Sequence, residues 1–239
     1  MENRAEHFAD NNGIKIHFLE LNRQVGGIPL ILIPGATNSA EQIEEDLKGQ
    51  LASYHIIVSL RGRGQSDSPD TGYQLDDHAS DVHAVARHLG LDKYYLFGYS
   101  VGSTVGIRVA VQAPEKALGL IMGDFPPYFP SFDKSWADRV ARDRDCKVSR
   151  KALTGLAHEG KYVEAGQDLQ GLTCRLLLIK GGKQGTAFNS KHLPIFGKIA
   201  PTCQVLIFED SGHDIFRPQL TSLIRAINEF MGYGVAQMT

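Results

Sequence analysis

Residues 94–102 read YYLFGYSVG, and this stretch decides the fold that the sequence predicts. Its first part, residues 94–97, is large and apolar or aromatic, which is typical of a buried strand. The pattern G-x-S-x-G follows directly, with Ser100 at its centre. Residues 103–113 then have a helical composition, and Pro114 ends the predicted helix.

A strand, a sharp turn that carries a serine, and a helix together form a nucleophile elbow. The flanking glycines, Gly98 and Gly102, remove Cβ atoms where the strand and the helix crowd together. The hydroxyl of Ser100 then stands clear of the sheet at a helix N-terminus, where backbone N–H groups can meet a developing anion. The pattern predicts that Ser100 is a nucleophile. The alternative is an ordinary turn between a strand and a helix.

The composition is that of an ordinary globular protein, since 42% of the 239 residues are hydrophobic and 22% are charged. A chain of this length can form one α/β domain. The net charge of −2, without a basic block, gives no support for nucleic-acid binding. The N-terminal residues 1–10 are polar, unlike a signal peptide, and no apolar run approaches the about 20 residues of a membrane span.

The three cysteines, Cys146, Cys174 and Cys203, are widely spaced and are expected to be free thiols in a reducing compartment. We therefore expect a soluble cytoplasmic protein that binds neither nucleic acid nor a membrane. Nothing in the sequence indicates an oligomeric state.

The pattern along the chain predicts an α/β fold. A turn signal at residues 10–13, followed by alternating residues at 14–21, predicts an N-terminal antiparallel hairpin with one face exposed to water. Apolar runs predict further strands at residues 30–33, 55–60, 94–97, 117–122, 174–180 and 205–208. Helices are predicted at residues 40–52, 75–89 and 103–113, and from residue 220 onward. This order predicts a mostly parallel central sheet flanked by helices, with a ligand site at the carboxyl ends of the strands.

Residues 125–170 break the alternation, because they are rich first in proline and aromatic residues and then in charge. We predict a small helical cap there, inserted into a core domain formed by residues 1–124 and 171–239. The aromatic residues predicted to contact a substrate are Tyr99, Phe125, Tyr128 and Trp136. The alternative is that the cap aromatics form only the core of the cap.

Several features resemble those of serine hydrolases, of the esterase or lactonase kind, that have the α/β-hydrolase fold and a reduced cap. They are Pro34-Gly35 after an apolar strand, the loop at residues 61–66, the elbow, and Ser211-Gly212-His213 after the last strand. The resemblance covers nearly the whole chain outside residues 125–170. It implies an α/β-hydrolase fold and the chain order nucleophile, acid, histidine.

The resemblance also implies further roles. His213 is the implied base, since imidazole accepts and returns a proton near neutral pH and the other histidines lie elsewhere in the pattern. The backbone N–H groups of Ala36 and Val101 are the implied oxyanion hole. Arg61 and Arg63 are implied to be structural, with an anion site as the alternative.

The acid departs from the family pattern. The family usually places it after the strand predicted at residues 174–180, but no Asp or Glu occurs between Lys180 and Glu209. The remaining carboxylates between Ser100 and His213 are Glu115, Asp124, Asp133, Asp138, Asp143, Asp145, Glu159, Glu164, Asp168, Glu209 and Asp210. We predict that Asp124 accepts a hydrogen bond from His213 Nδ1, because Asp124 directly follows the strand expected beside the elbow strand. The alternative is a turn or hinge residue ahead of the cap.

Together, Ser100, His213 and Asp124 predict acyl transfer to water from a small-molecule substrate, a small carboxylic ester or lactone. This chemistry needs no metal or organic cofactor. Two alternatives stay open. One is C–C bond or peptide hydrolysis by the same residues. The other is a largely non-catalytic ligand receptor on the same fold, which the missing acid at its usual place would explain.

Overall fold

The structure, a computed structural model, describes residues 4–143 and 146–233, and a twisted sheet with helices on both faces dominates it. The strands are β1 (Arg4–Asn11), β2 (Ile14–Leu21), β3 (Leu30–Ile33), β4 (His55–Val58), β5 (Tyr94–Tyr99), β6 (Ala117–Gly123), β7 (Tyr128–Phe129), β8 (Val163–Glu164), β9 (Arg175–Gly181) and β10 (Gln204–Phe208). The α-helices are α1 (Ala40–Leu47), α2 (Leu75–His88), α3 (Val101–Gln112), α4 (Lys134–Val140), α5 (Arg150–Glu159), α6 (Gly166–Gln170), α7 (Leu193–Ile199) and α8 (Leu220–Met231).

The main sheet has the strand order β1-β2-β4-β3-β5-β6-β9-β10. Strands β1 and β2 form an antiparallel hairpin, β2 runs antiparallel to β4, and the other neighbours are parallel. The predicted fold class, a mostly parallel sheet with an N-terminal antiparallel hairpin and flanking helices, is confirmed. Because β5, β6 and β9 are parallel neighbours, the loops that follow them meet at one edge of the sheet.

One prediction about the hairpin is wrong. Its second strand was expected to expose one face, but β2 is buried on both faces from Ile16 onward. Ile16 and Phe18 pack on one side of the sheet, and Leu19 and Leu21 pack on the other. The reason is position, since β2 lies between β1 and β4, whereas only β1 is at the edge and alternates between exposed and covered residues.

Helices cover the sheet in two layers. Helices α1 and α8 pack on one face through an apolar stripe, which in α8 includes Leu223, Ile227 and Phe230. Helices α2 and α3 cover the other face, together with residues of α5, α6 and α7. The predicted helix at residues 40–52 is too long, because the chain turns at Lys48 and Gly49, which both have positive φ. Helix α7 was not predicted.

The segment between β6 and β9 contains α4, α5 and α6, and a two-stranded antiparallel ribbon of β7 and β8. Helices α4 and α5 pack against each other. The division of the chain into a core domain and a cap at residues 125–170 stays a prediction. Residues 144 and 145 of this segment, with the acid candidate Asp145, lie outside the described residues, as do residues 1–3 and 234–239 of the predicted core domain.

A buried ion pair fixes the loop that follows β4. The Arg61 side chain donates to Asp81 from Nη2, at 2.7 Å, and from Nε, at 3.0 and 3.1 Å, and the Arg61 backbone N–H donates to the same carboxylate. Arg63 donates to the carbonyl oxygens of Ala36, at 3.0 Å, and Arg61, at 2.7 Å, and its burial lowers the pKa of its guanidinium to about 10. Both arginines are buried away from solvent, so the structural role is correct and the anion-site alternative is wrong.

We expect Arg61→Met to lower the free energy of unfolding by about 3 kcal/mol, because Asp81 would keep a buried carboxylate without its cationic partner. Urea unfolding followed by far-UV circular dichroism measures the change. The matched control is Arg142→Met, which truncates an exposed arginine. The double variant Arg61→Met/Asp81→Leu should recover part of the loss. If Arg61→Met were as stable as the parent protein, the ion pair would not be what fixes this loop.

Candidate active site

The elbow has the strained geometry that its sequence predicts. Ser100 lies between β5 and α3 with φ 54° and ψ −131°, a backbone conformation that non-glycine residues rarely adopt. A Cβ at Gly98 would lie 2.2 Å from the carbonyl oxygen of Gly102. A Cβ at Gly102 would lie 2.2 Å from the carbonyl oxygen of Ile33. Both glycines are therefore required by the close approach of α3 to β3 and β5.

The turn after β6 brings a carboxylate to the same edge of the sheet. Asp124 directly follows β6, has a positive φ of 49°, and is fully buried. Its backbone N–H donates to the carbonyl oxygen of Ile179 in the neighbouring β9, at 2.8 Å. The backbone N–H of Ser100 donates to the carbonyl oxygen of Gly123, also at 2.8 Å. Ser100 and Asp124 are thus positioned by adjacent strands of one sheet.

The loop after β10 completes the group. His213 Nε2 lies 3.0 Å from Ser100 Oγ, and His213 Nδ1 lies 2.8 Å from Asp124 Oδ2. Because a carboxylate only accepts hydrogen bonds, Nδ1–H donates to Asp124, which leaves Nε2 to accept from the Ser100 hydroxyl. The structure brings together the three residues predicted from the sequence, with the expected contact between Asp124 and His213 Nδ1.

The loop that lacks the usual acid supplies hydrogen-bond donors. Asp124 Oδ1 accepts from the backbone N–H of Gly181, at 3.0 Å, and from the Thr186 hydroxyl. Asp124 Oδ2 accepts from the backbone N–H of Ala187, at 2.9 Å, as well as from His213. These donors compensate for removing the carboxylate from water. The sequence did not single out Thr186 or Ala187. The absence of a carboxylate from this loop was the only feature of the sequence that set the loop apart.

The other acid candidates that the structure describes are engaged elsewhere or face solvent. Glu159 accepts from the backbone N–H groups of Gly72 and Tyr73, and Asp168 pairs with Arg108. The exposed ones are Glu115, Asp133, Asp138, Asp143, Glu164, Glu209 and Asp210. Asp124 is the carboxylate for which a contact with His213 is observed.

Tyr99 holds the histidine loop from the other side. Its ring stacks on the His213 imidazole, with 5.3 Å between ring centroids and 24° between planes. Its hydroxyl donates to the His213 carbonyl oxygen at 3.1 Å, and burial raises the pKa of Tyr99, which keeps that donor protonated. Phe216 packs against the Tyr99 ring in a T-shaped arrangement, with 5.0 Å between ring centroids. The residue before the serine therefore contacts the histidine directly.

A cavity of about 650 Å³ opens over Ser100 and His213. It is lined by the implied oxyanion residues Ala36 and Val101. All four aromatic residues predicted to contact a substrate also line it, and these are Tyr99, Phe125, Tyr128 and Trp136. It is also lined by Phe132 and by the acid candidate Asp133. Further lining residues that the sequence did not single out are Thr37, Asn38, Pro130, Ser131, Ser135 and Arg139. The cavity thus combines aromatic walls with hydroxyl, amide and charged groups.

The loop that carries Ala36 is fixed by a buried arginine. Arg63 Nε donates to the Ala36 carbonyl oxygen at 3.0 Å. The same arginine bridges to Val148 ahead of α5 through a short antiparallel backbone contact. Because Arg63 is only 2% exposed, water cannot replace these contacts easily, and the loop that carries Ala36 is anchored to the protein interior.

The sheet with its flanking helices, the elbow, and the contacts among Ser100, His213 and Asp124 define the class of α/β-hydrolases. A family model described as the alpha/beta hydrolase fold matches residues 28–144. The chain is 39% identical to N-formylmaleamate deformylase from Pseudomonas putida over an alignment of 258 positions, which covers 93% of this chain and 94% of that protein. The chain therefore belongs to the α/β-hydrolase family.

Solved structures share this fold. The crystal structure of E-2-(acetamidomethylene)succinate hydrolase has a TM-score of 0.79 and 19% identity, and the match covers 96% of this chain and 100% of that chain. The esterase EaEST from Exiguobacterium antarcticum has a TM-score of 0.79 and 18% identity, with 95% and 100% covered. Among residues 4–143 and 146–233, no helix is both long enough and apolar enough to cross a membrane.

We expect Tyr99→Leu to lower kcat for p-nitrophenyl acetate by about 10- to 100-fold, because a small displacement of a reacting group is costly and the imidazole would lose its stacked support. Tyr99→Phe, which keeps the ring and loses only the hydroxyl bond to the His213 carbonyl, should lose less. Initial-rate kinetics on the two variants measures the difference. Equal losses in both variants would assign the effect to the hydroxyl and contradict a role for the stacked ring.

Proposed function

We propose that this protein is a serine hydrolase that transfers an acyl group from a small carboxylic ester or lactone to Ser100 and then to water. The observation that carries the proposal is the hydrogen-bonded series Ser100–His213–Asp124, which opens into a cavity at the carboxyl edge of the sheet. A serine hydroxyl is a weak nucleophile until a base takes its proton, and His213 Nε2 lies at the distance that this requires.

The proposed reaction has two halves. Ser100 Oγ attacks the carbonyl carbon while His213 Nε2 takes its proton, and the backbone N–H groups of Ala36 and Val101 donate to the developing oxyanion. His213 then gives the proton to the leaving oxygen, and the acyl-enzyme forms. Water repeats the sequence and releases the acid. Asp124 keeps the imidazole in the required tautomer and stabilises the imidazolium.

The cavity supports a small substrate. Its volume of about 650 Å³ lies within the range of pockets for small organic molecules. Three of its aromatic residues, Phe125, Tyr128 and Trp136, belong to the segment proposed as the cap. We propose that this segment sets the size and shape of the acyl group, while the core domain supplies the reacting groups.

A second candidate is hydrolysis of an N-acyl bond. It is favoured by the 39% identity, over 93% of this chain, to a protein whose name describes it as a deformylase of N-formylmaleamate. The chemistry differs only in the leaving group, because His213 would protonate a nitrogen rather than an oxygen. Against the receptor alternative, Asp124 makes a contact with His213 although no carboxylate follows β9. The C–C bond and peptidase alternatives have no observation of their own.

Ser100→Ala is expected to remove most of the rate enhancement, on the order of 10⁶-fold, because the residue would be the covalent nucleophile. A fluorophosphonate probe should label the parent protein stoichiometrically and leave the folded Ser100→Ala variant unlabelled. The bond type follows from kcat/KM on p-nitrophenyl esters of increasing chain length, on lactones, and on N-formyl and N-acetyl amides including N-formylmaleamate. No labelling of the folded parent protein would support the receptor alternative instead.

Asp124→Asn is expected to lower kcat by about 10³- to 10⁴-fold, because an amide at this position favours the wrong imidazole tautomer and does not stabilise imidazolium. Steady-state kinetics on the best substrate of the panel measures the loss, and thermal unfolding verifies that the variant is folded. Asp210→Asn, which changes an exposed candidate acid near His213, is the control. A kcat near that of the parent protein in folded Asp124→Asn would exclude this acid.

A further inference from the structure

We infer that Arg139 makes the cavity a site for acyl substrates that carry a second, free carboxylate, such as half-esters or half-amides of dicarboxylic acids. This inference rests on the proposed function, because it identifies the class of substrate that would be held over Ser100. It follows from the position of Arg139, from the charges around it, and from the chemistry of the other side chains in the cavity.

Arg139 lies in the last turn of α4 and lines the same cavity as Ser100 and His213. Trp136 precedes it by three residues and therefore lies on the same face of the helix, also lining the cavity. The Trp136 ring packs on Phe132, with 4.3 Å between ring centroids. Aromatic side chains that can pack on a hydrocarbon chain and the Arg139 guanidinium thus line the same cavity as Ser100.

The charge of Arg139 is available to a ligand. Among the described residues that line the cavity, Arg139 is the permanent cation and Asp133 is the carboxylate. Asp133 Oδ1 accepts from the backbone N–H of Trp136, at 2.7 Å, and from the Ser135 hydroxyl, at 2.8 Å. Asp133 is therefore engaged as the N-cap of α4, and these hydrogen bonds, with a further contribution from the charge of Arg139, lower the pKa of its carboxyl. Within residues 4–143 and 146–233, no carboxylate forms an ion pair with Arg139.

A carboxylate is the ligand that suits this arrangement. A guanidinium presents parallel N–H donors that match the two oxygens of a carboxylate, and it keeps its charge at any physiological pH. The single positive charge of Arg139 neutralises the single negative charge of one carboxylate. The neighbouring donors toward α4 are the neutral hydroxyls of Ser131 and Ser135. The combination of aromatic walls and a single guanidinium selects a short hydrocarbon chain that ends in a carboxylate.

Binding can be tested without turnover, because Trp136 is the only tryptophan in the sequence and lines the cavity. The folded Ser100→Ala variant is titrated with the monomethyl esters of glutaric, adipic and pimelic acids, and with the corresponding dimethyl esters, while Trp136 fluorescence is followed. We expect at least one monoester to bind about tenfold more tightly than its diester. A factor of about ten is what one charge-assisted hydrogen bond to an exposed arginine contributes to binding.

The matched variants separate Arg139 from its surroundings. Adding Arg139→Met to Ser100→Ala should abolish the preference for the monoester, whereas adding Arg142→Met, which truncates an exposed arginine beyond the end of α4, should keep it. Asp133→Asn should increase the preference, because asparagine also caps helices but carries no charge that repels the ligand. Raising the salt concentration to 1 M should reduce the preference, because the Debye length falls to about 3 Å.

Turnover gives the second readout. The ratio of kcat/KM for the mono-p-nitrophenyl ester over that for the methyl p-nitrophenyl diester should exceed one at the best chain length in the parent protein. Arg139→Met should lower this ratio about tenfold. Equal binding of monoesters and diesters at every length, or a preference that survives Arg139→Met, would overturn the inference. A preserved binding preference without Ser100-dependent turnover of either series would instead overturn the proposed function and leave Arg139 as a carboxylate-binding residue.

Discussion

The buried carboxylate of Asp124 is the constraint on which the candidate site depends. A fully buried charge is tolerated only where hydrogen-bond donors replace water, and Asp124 receives them from Gly181, Thr186, Ala187 and His213. The donors come from the end of β9, from the loop after it, and from the loop after β10. One carboxylate therefore orders the loop after β9 and orients the imidazole that faces Ser100.

The second constraint is the close approach of backbone segments, which occurs both at the elbow and at the loop before His213. Glycines at positions 98 and 102 let α3 pack against β3 and β5, so that Ser100 takes its strained turn. A Cβ at Gly181 would lie 2.1 Å from the Gly212 carbonyl oxygen, so the loop before His213 packs directly on the end of β9. Packed backbone segments thus hold Ser100, His213 and Asp124 at the distances observed among their side chains.

The loop that carries Ala36, a residue of the proposed oxyanion hole, depends on different buried charges. Arg61 is paired with Asp81, and Arg63 uses its guanidinium to hold the carbonyl oxygens of Ala36 and Arg61. The sequence presents these arginines as a glycine-rich basic loop, for which an anion site was the alternative to a structural role. Burial decides between the two, because side chains that are 4% and 2% exposed cannot meet a substrate in the cavity.

The sequence by itself determined the order of the elements, the elbow and the residues that meet at the sheet edge, because apolar runs, glycines and loop positions are local properties. It also pointed to Asp124, since only the order of strands was needed to place that residue beside the elbow. The tertiary structure alone decided that β2 is covered on both faces and that Thr186 and Ala187 donate hydrogen bonds to Asp124. It also decided that Tyr99 stacks on His213 and that Arg139 lines the cavity. Each of these depends on contacts between segments distant in the chain, which no local pattern encodes.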